Sequence, residues 1–125
     1  MFAQDPQPRE APLLVRLIGD LDQELVEAFA TLERSLVGRD GRTLIVHAGD
    51  AAPTSEREVG ALMAAVRAAR AAGRDVRVDA GTSLAWRRRF TRVHCEAPLD
   101  PGLRRAAGRT VILAHSVRNT RSRRR

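Results

Sequence analysis

The residues of this 125-residue chain that could do chemistry are few, and their spacing decides what they can do. His94 and Cys95 are adjacent and suggest a cysteine nucleophile beside a base. Neighbours on an extended segment point to opposite sides. A cysteine nucleophile also needs a positioned base and an oxyanion site in space, which no spacing here indicates. His47, His94 and His115 are too scattered to read as metal ligands. Cys95 is the only cysteine, so no internal disulfide is expected. Gly38, Gly41 and Gly49 fall at ordinary turns and do not form a phosphate-cradling loop. The expectation is a non-enzymatic chain with no metal and no cofactor.

Two other groups remain. Ser55-x-x-Glu58 has the spacing of a capping box, in which the hydroxyl accepts from a free backbone N–H and the carboxylate reaches back. Ser55 therefore reads either as a helix cap or as a hydroxyl open to modification. Arg87, Arg88, Arg89 and Arg92, beside Trp86, form a candidate anion-binding set, and Arg121, Arg123, Arg124 and Arg125 extend it. Such a set could hold nucleic acid electrostatically and would then release it as salt rises. The simpler reading is a solvated helix face with a solubilising tail, and a third is docking on an acidic protein with faster association.

The charge is unevenly spread. Residues 1–85 hold ten Arg against thirteen acids, and residues 86–125 hold twelve Arg against two, so the formal net charge of +7 belongs to the C-terminal third. Aromatics make up 3% and Tyr is absent, which leaves few platforms for stacking a sugar or a base. No apolar run approaches the roughly 18 residues of a membrane span. The opening MFAQDPQPRE lacks the charged-then-apolar order of a secretory signal. With a single cysteine, these features lead us to expect a cytoplasmic protein.

One domain is expected at this length. Residues 1–12, with three prolines, read as an irregular lead-in, 13–117 as the domain, and 118–125 as a disordered Arg-rich tail. Leu13–Ile18 is a short apolar run suited to a buried strand, followed by a turn at Gly19–Asp22. Asp22 can cap a helix over 23–37, whose Leu25, Phe29, Leu32 and Leu36 form one stripe with Glu24, Glu27, Glu33 and Arg34 off it. Gly38 would stop that helix and Asp40-Gly41 would turn the chain. A strand over 42–48, a loop over 49–53, and a helix from Ser55 to Ala72 with Val59, Leu62, Met63 and Val66 inward come next. A strand over 75–80, a helix over 83–92 with Trp86 and Phe90 on one face, and a short helix at 102–107 follow. Thr110–Ala114 could add a last strand. The alternation is that of parallel βαβ crossovers.

That order and three local motifs resemble the STAS domain family, whose best-known members are bacterial anti-sigma factor antagonists. Gly19-Asp20-Leu21-Asp22 is similar to the family's G-[ED]-L-D strand ending. Leu44 to Leu62, LIVHAGDAAPTSEREVGAL, looks like its strand, loop and signature helix. Ala69-Arg70-Ala71-Ala72-Gly73-Arg74 is similar to its A-x-x-x-G approach to the next strand. The resemblance spans about residues 13–95. It implies a mixed, mainly parallel sheet of four to five strands with helices packed chiefly on one side.

The resemblance also implies a protein–protein regulatory function: binding an anti-sigma factor with a kinase-like fold, in the regulation of transcription. The implied partner-binding and switch residues are Thr54, Ser55, Glu56, Arg57 and Glu58, supported by Asp22 and Gly60. Without a gap, the family's phosphorylated serine falls on Arg57, which implies that the switch is lost. A two-residue insertion would instead put Thr54 and Ser55 on its two hydroxyls. Glu56 and Glu58 suit a helix N-terminus, each by about 0.3–1 kcal/mol, and would repel an added phosphate. Two alternatives remain: a non-phosphorylated scaffold in a signalling complex, and a small basic nucleic-acid-binding protein.

Overall fold

The computed structural model describes residues 11–36 and 42–114. The N-terminal lead-in up to residue 10, the Gly38 stop, the Asp40-Gly41 turn and the Arg-rich tail lie outside the described residues. The elements are β1 (Leu13–Leu21), α1 (Gln23–Leu36), β2 (Leu44–His47), β3 (Ala51–Pro53), α2 (Glu56–Ala71), β4 (Val76–Asp79), α3 (Leu84–Arg88, continued by a π-helical turn Arg89–Val93), α4 (Pro101–Arg105) and β5 (Arg109–Ala114).

The domain is α/β, with five strands in one parallel sheet. β1 has β2 and β5 as neighbours, β2 is followed by β4, and the far end of β1 pairs with β3. Every ladder among the described residues is parallel. Leu13, Val15 and Leu17 of β1, Leu44 and Val46 of β2, and Val76 and Val78 of β4 point to one face. There they meet Leu25, Val26 and Phe29 of α1 and Val59, Leu62, Met63 and Val66 of α2. Period-two strands thus bury one face against helices whose apolar residues recur at three and four.

The second face is not bare. Ile45 points to it, in register with Leu14 and Arg77, and is fully buried. The chain from β4 to β5 meets the sheet at two points. It is tied at one edge where Arg104 bonds Asp79 of β4, 2.8 Å, and at the other where the Gly108 N–H donates to the Pro12 carbonyl, 2.9 Å. The first tie brings the end of α4 to the Asp79 carboxylate on that face.

Three expectations are corrected. The turn expected at Gly19–Asp22 begins only after Leu21. Gly19 takes φ +96°, which lets β1 bend and continue. The loop expected over 49–53 contains β3, because Gly19–Leu21 gives Ala51–Pro53 a partner. The β1–β3 register is one residue longer than the β1–β2 register. Glu33, expected off the apolar stripe of α1, is buried. It lies 3.7 Å from the buried Arg74 guanidinium where α1 meets the turn after α2. A charge can take an inward helical position when its partner arrives from another element. The strand considered at 110–114 is present and starts at Arg109.

Candidate functional site

The loop–helix junction at residues 54–60 is built by the strands behind it. The β2–β3 connection is pinned by charges on the second face of the sheet. Arg16, His47 and Asp79 stand in one row across β1, β2 and β4. His47 Nδ1 bonds the Asp79 carboxylate at 2.8 Å, and its Nε2 lies 3.5 Å from Asp50. Arg16 donates to Asp50 and Arg104 to Asp79, so the order is Arg16–Asp50–His47–Asp79–Arg104.

The imidazole is held between two glycines. A Cβ on Gly49 would meet the Ala80 carbonyl oxygen at 2.5 Å, and one on Gly81 would meet the His47 ring at 2.7 Å. Gly81 also takes φ +60°, and its N–H donates to Asp79 at 3.0 Å. Burial pushes the Asp79 carboxyl up. The hydrogen bonds from His47, the Gly81 N–H and Arg104 outweigh it and hold the pKa at about 2. Arg16, against a smaller opposing effect of desolvation, holds Asp50 below the usual carboxylate range. Both ring nitrogens of His47 face carboxylates, so the arrangement is a polar clasp across three strands. Among the described residues, no group of three His, Cys, Asp or Glu side chains could hold a metal ion.

From this clasp β3 leads directly into the junction. The Thr54 hydroxyl donates to the Leu21 carbonyl at 2.6 Å, tying the loop to the end of β1. Ser55 is extended and caps α2, its hydroxyl accepting from the Glu58 N–H at 3.3 Å. Asp22 likewise caps α1, accepting from the Leu25 N–H at 2.9 Å. Both hydroxyls of the junction are therefore engaged in local bonds. Glu56 and Arg57 are exposed and Glu58 is half-buried. Gly60 has nothing within 4 Å of where a Cβ would stand, so its small size answers no packing need among the described residues.

Two residue sets that the sequence keeps apart meet here. Arg89 donates to Glu56 through Nε (3.1 Å) and Nη2 (2.7 Å). The first turn of α2 is thereby joined to α3. The joint is deepened by Trp86, fully buried, whose indole N–H donates to the Ala51 carbonyl of β3 at 2.7 Å. Trp86 and Phe90 share a face, ring centroids 5.2 Å apart. Arg87, Arg88 and Arg92 do not join Arg89. They line a cleft on another side of α3.

Further along α2, Arg67 donates to His94 Nδ1 at 3.1 Å. Burial and the neighbouring Arg67 charge push the His94 imidazolium toward losing its proton. Arg70 grips both oxygens of Glu96 at 2.7 and 2.8 Å, and the pair holds the Glu96 carboxyl low and the Arg70 guanidinium high. His94 and Cys95 do not form a pair: His94 faces Arg67, and Cys95 is exposed at φ +55° as the chain leaves the π turn.

The clasp around His47 is not legible from spacing. His47 alone was visible, while Arg16, Asp50, Asp79 and Arg104 sit on four other segments. The usable signal was polar residues closing the apolar strands 44–47 and 76–79, each followed within two residues by glycine. Among the described residues no helix is long and apolar enough to cross a membrane. The chain matches no family model, no curated protein and no solved structure.

Proposed function

We propose that this domain is a non-enzymatic protein-binding regulator resembling an anti-sigma factor antagonist, with its docking surface at the β3–α2 junction and without a phosphorylation switch. The observation that carries this reading is the state of the junction. Thr54 and Ser55 are committed to a strand end and a helix cap. Arg57 stands exposed at the motif position where family members carry the acceptor serine. Glu56 brings a fixed negative charge already matched by Arg89. The run of strand, short strand and capped helix from Leu44 to Leu62 supports the resemblance. A partner with the kinase-like fold of an anti-sigma factor would then meet a permanently charged surface instead of a switchable one.

The test is titration calorimetry of the whole chain against kinase-fold anti-sigma factors from its own cell, with ATP added in parallel. Saturable binding that Arg57→Glu weakens about tenfold, with no phosphoryl transfer to the chain, is expected. No binding to any of them, or binding indifferent to Arg57→Glu and to Glu56→Arg, would falsify the reading. Phosphorylation at Ser55 or Thr54 would refute the lost switch. Tight binding to DNA or RNA that fades with salt would favour the nucleic-acid alternative.

A further inference from the structure

A second site lies on the side of α3 away from Glu56. Between α3 and the segment from Glu96 to Arg104 runs a cleft of about 620 Å³. Val78 and Phe90, both almost wholly buried, form its floor. Leu99, Pro98 and Pro101 line the wall, and Leu84, 56% exposed, stands at the mouth. The volume is that of a small-molecule pocket, which is characteristically apolar with a few convergent polar groups.

The polar groups of the cleft are almost all of one sign. Arg87, Arg88, Arg92 and Arg104 line it, against the single carboxylate of Glu96. Glu96 is already neutralised, with both oxygens gripped by Arg70. Arg104 answers Asp79. Arg87, Arg88 and Arg92 have no carboxylate partner among the described residues. Three guanidinium groups therefore stand uncompensated around an apolar floor, in the forked form that suits a carboxylate, sulfonate or phosphate.

The strand edge adds a directional contact. Leu44 N–H donates to Asp75 and Ala48 N–H to Asp79, so alternate residues of β4 face β2 and the Val78 peptide groups turn outward. Farther along that edge the Val76 carbonyl is already taken by Arg70.

We propose that this cleft binds an amphipathic anion: a small ligand with a carboxylate, sulfonate or phosphate head held by Arg87, Arg88 and Arg92, and an apolar body lying on Val78, Phe90 and Leu99. Nucleic acid fits less well. The apolar floor has no use for a sugar–phosphate chain. The inference does not rest on the junction at Ser55, so either can fail alone.

The test titrates the whole isotope-labelled chain with sodium decanoate, below its micellar concentration, and with naphthalene sulfonate. Decanol and inorganic phosphate serve as the separate halves. At least one amphipathic probe should bind saturably, shift the amides of Val78, Leu84 and Leu99, and exceed both halves by about tenfold. The double variant Arg88→Gln/Arg92→Gln, at two exposed positions, should weaken that probe about tenfold and leave decanol unchanged. Arg109→Gln, exposed on β5 and outside the cleft, should leave probe binding unchanged. Failure of both probes to bind, shifts spread over the basic surface, phosphate binding as tightly as either probe, or indifference to the double variant overturns the proposal.

Discussion

Asp79 illustrates how one buried carboxylate can govern the acid behaviour of this domain. Its folded pKa, about 2, lies below the roughly 3.9 of a free aspartate. Stability from this group is therefore fully present above about pH 4 and is lost as pH falls toward 2. The shift corresponds to about 2 kcal/mol. Asp79→Asn should lower stability at neutral pH by about that amount and flatten the loss between pH 4 and 2, read as urea midpoints across pH. Two glycines give opposite expectations. Gly60→Ala meets open space and should stabilise α2 by about 1 kcal/mol. Gly49→Ala drives a Cβ against the Ala80 carbonyl and should cost about 1–3 kcal/mol. Thermal melts of the pair would check both signs.

At the scale of elements, much was legible because local patterns were strong. Leu25 with Phe29, and Val59 with Leu62, Met63 and Val66, mark inward helix faces by spacing alone, and Ser55 and Asp22 mark their starts. Ser55→Ala should cost about 1 kcal/mol, measurable as a shift in urea midpoint. β3 was not legible, because three residues ending in proline become a strand only when Gly19–Leu21 supplies a partner. Glu33 escaped for a similar reason: its burial depends on Arg74, about forty residues on along the chain. The joint between α3 and α2 was half legible. Trp86 and Phe90 read as one face, but nothing in sequence pairs Arg89 with Glu56 or the indole with Ala51. Trp86→Phe removes that indole bond and leaves the Ala51 carbonyl without it, an expected loss of about 1–3 kcal/mol in the same assay.

Across the whole molecule, the two edges of the sheet are treated differently. At β4 the Arg70 guanidinium takes the Val76 carbonyl, and the 95–99 segment runs alongside. At the other edge β5 is mostly exposed, with Ile112 56% accessible, and it shields β1. A chain cut before Arg109 should leave one side of β1 from Leu13 to Ile18 unpaired and self-associate, visible as a rise in light scattering against the intact chain.

The pairing of residue 13 with residue 109 also sets a timetable. A ribosome makes β1 first of these elements, yet its β5 neighbour arrives only after both large helices and the crossover that follows β4. One side of β1, from Leu13 to Ile18, must wait unpaired until β5 is made. Closing so long a loop is slow, and the growing chain is most vulnerable to sticking to its neighbours during that interval.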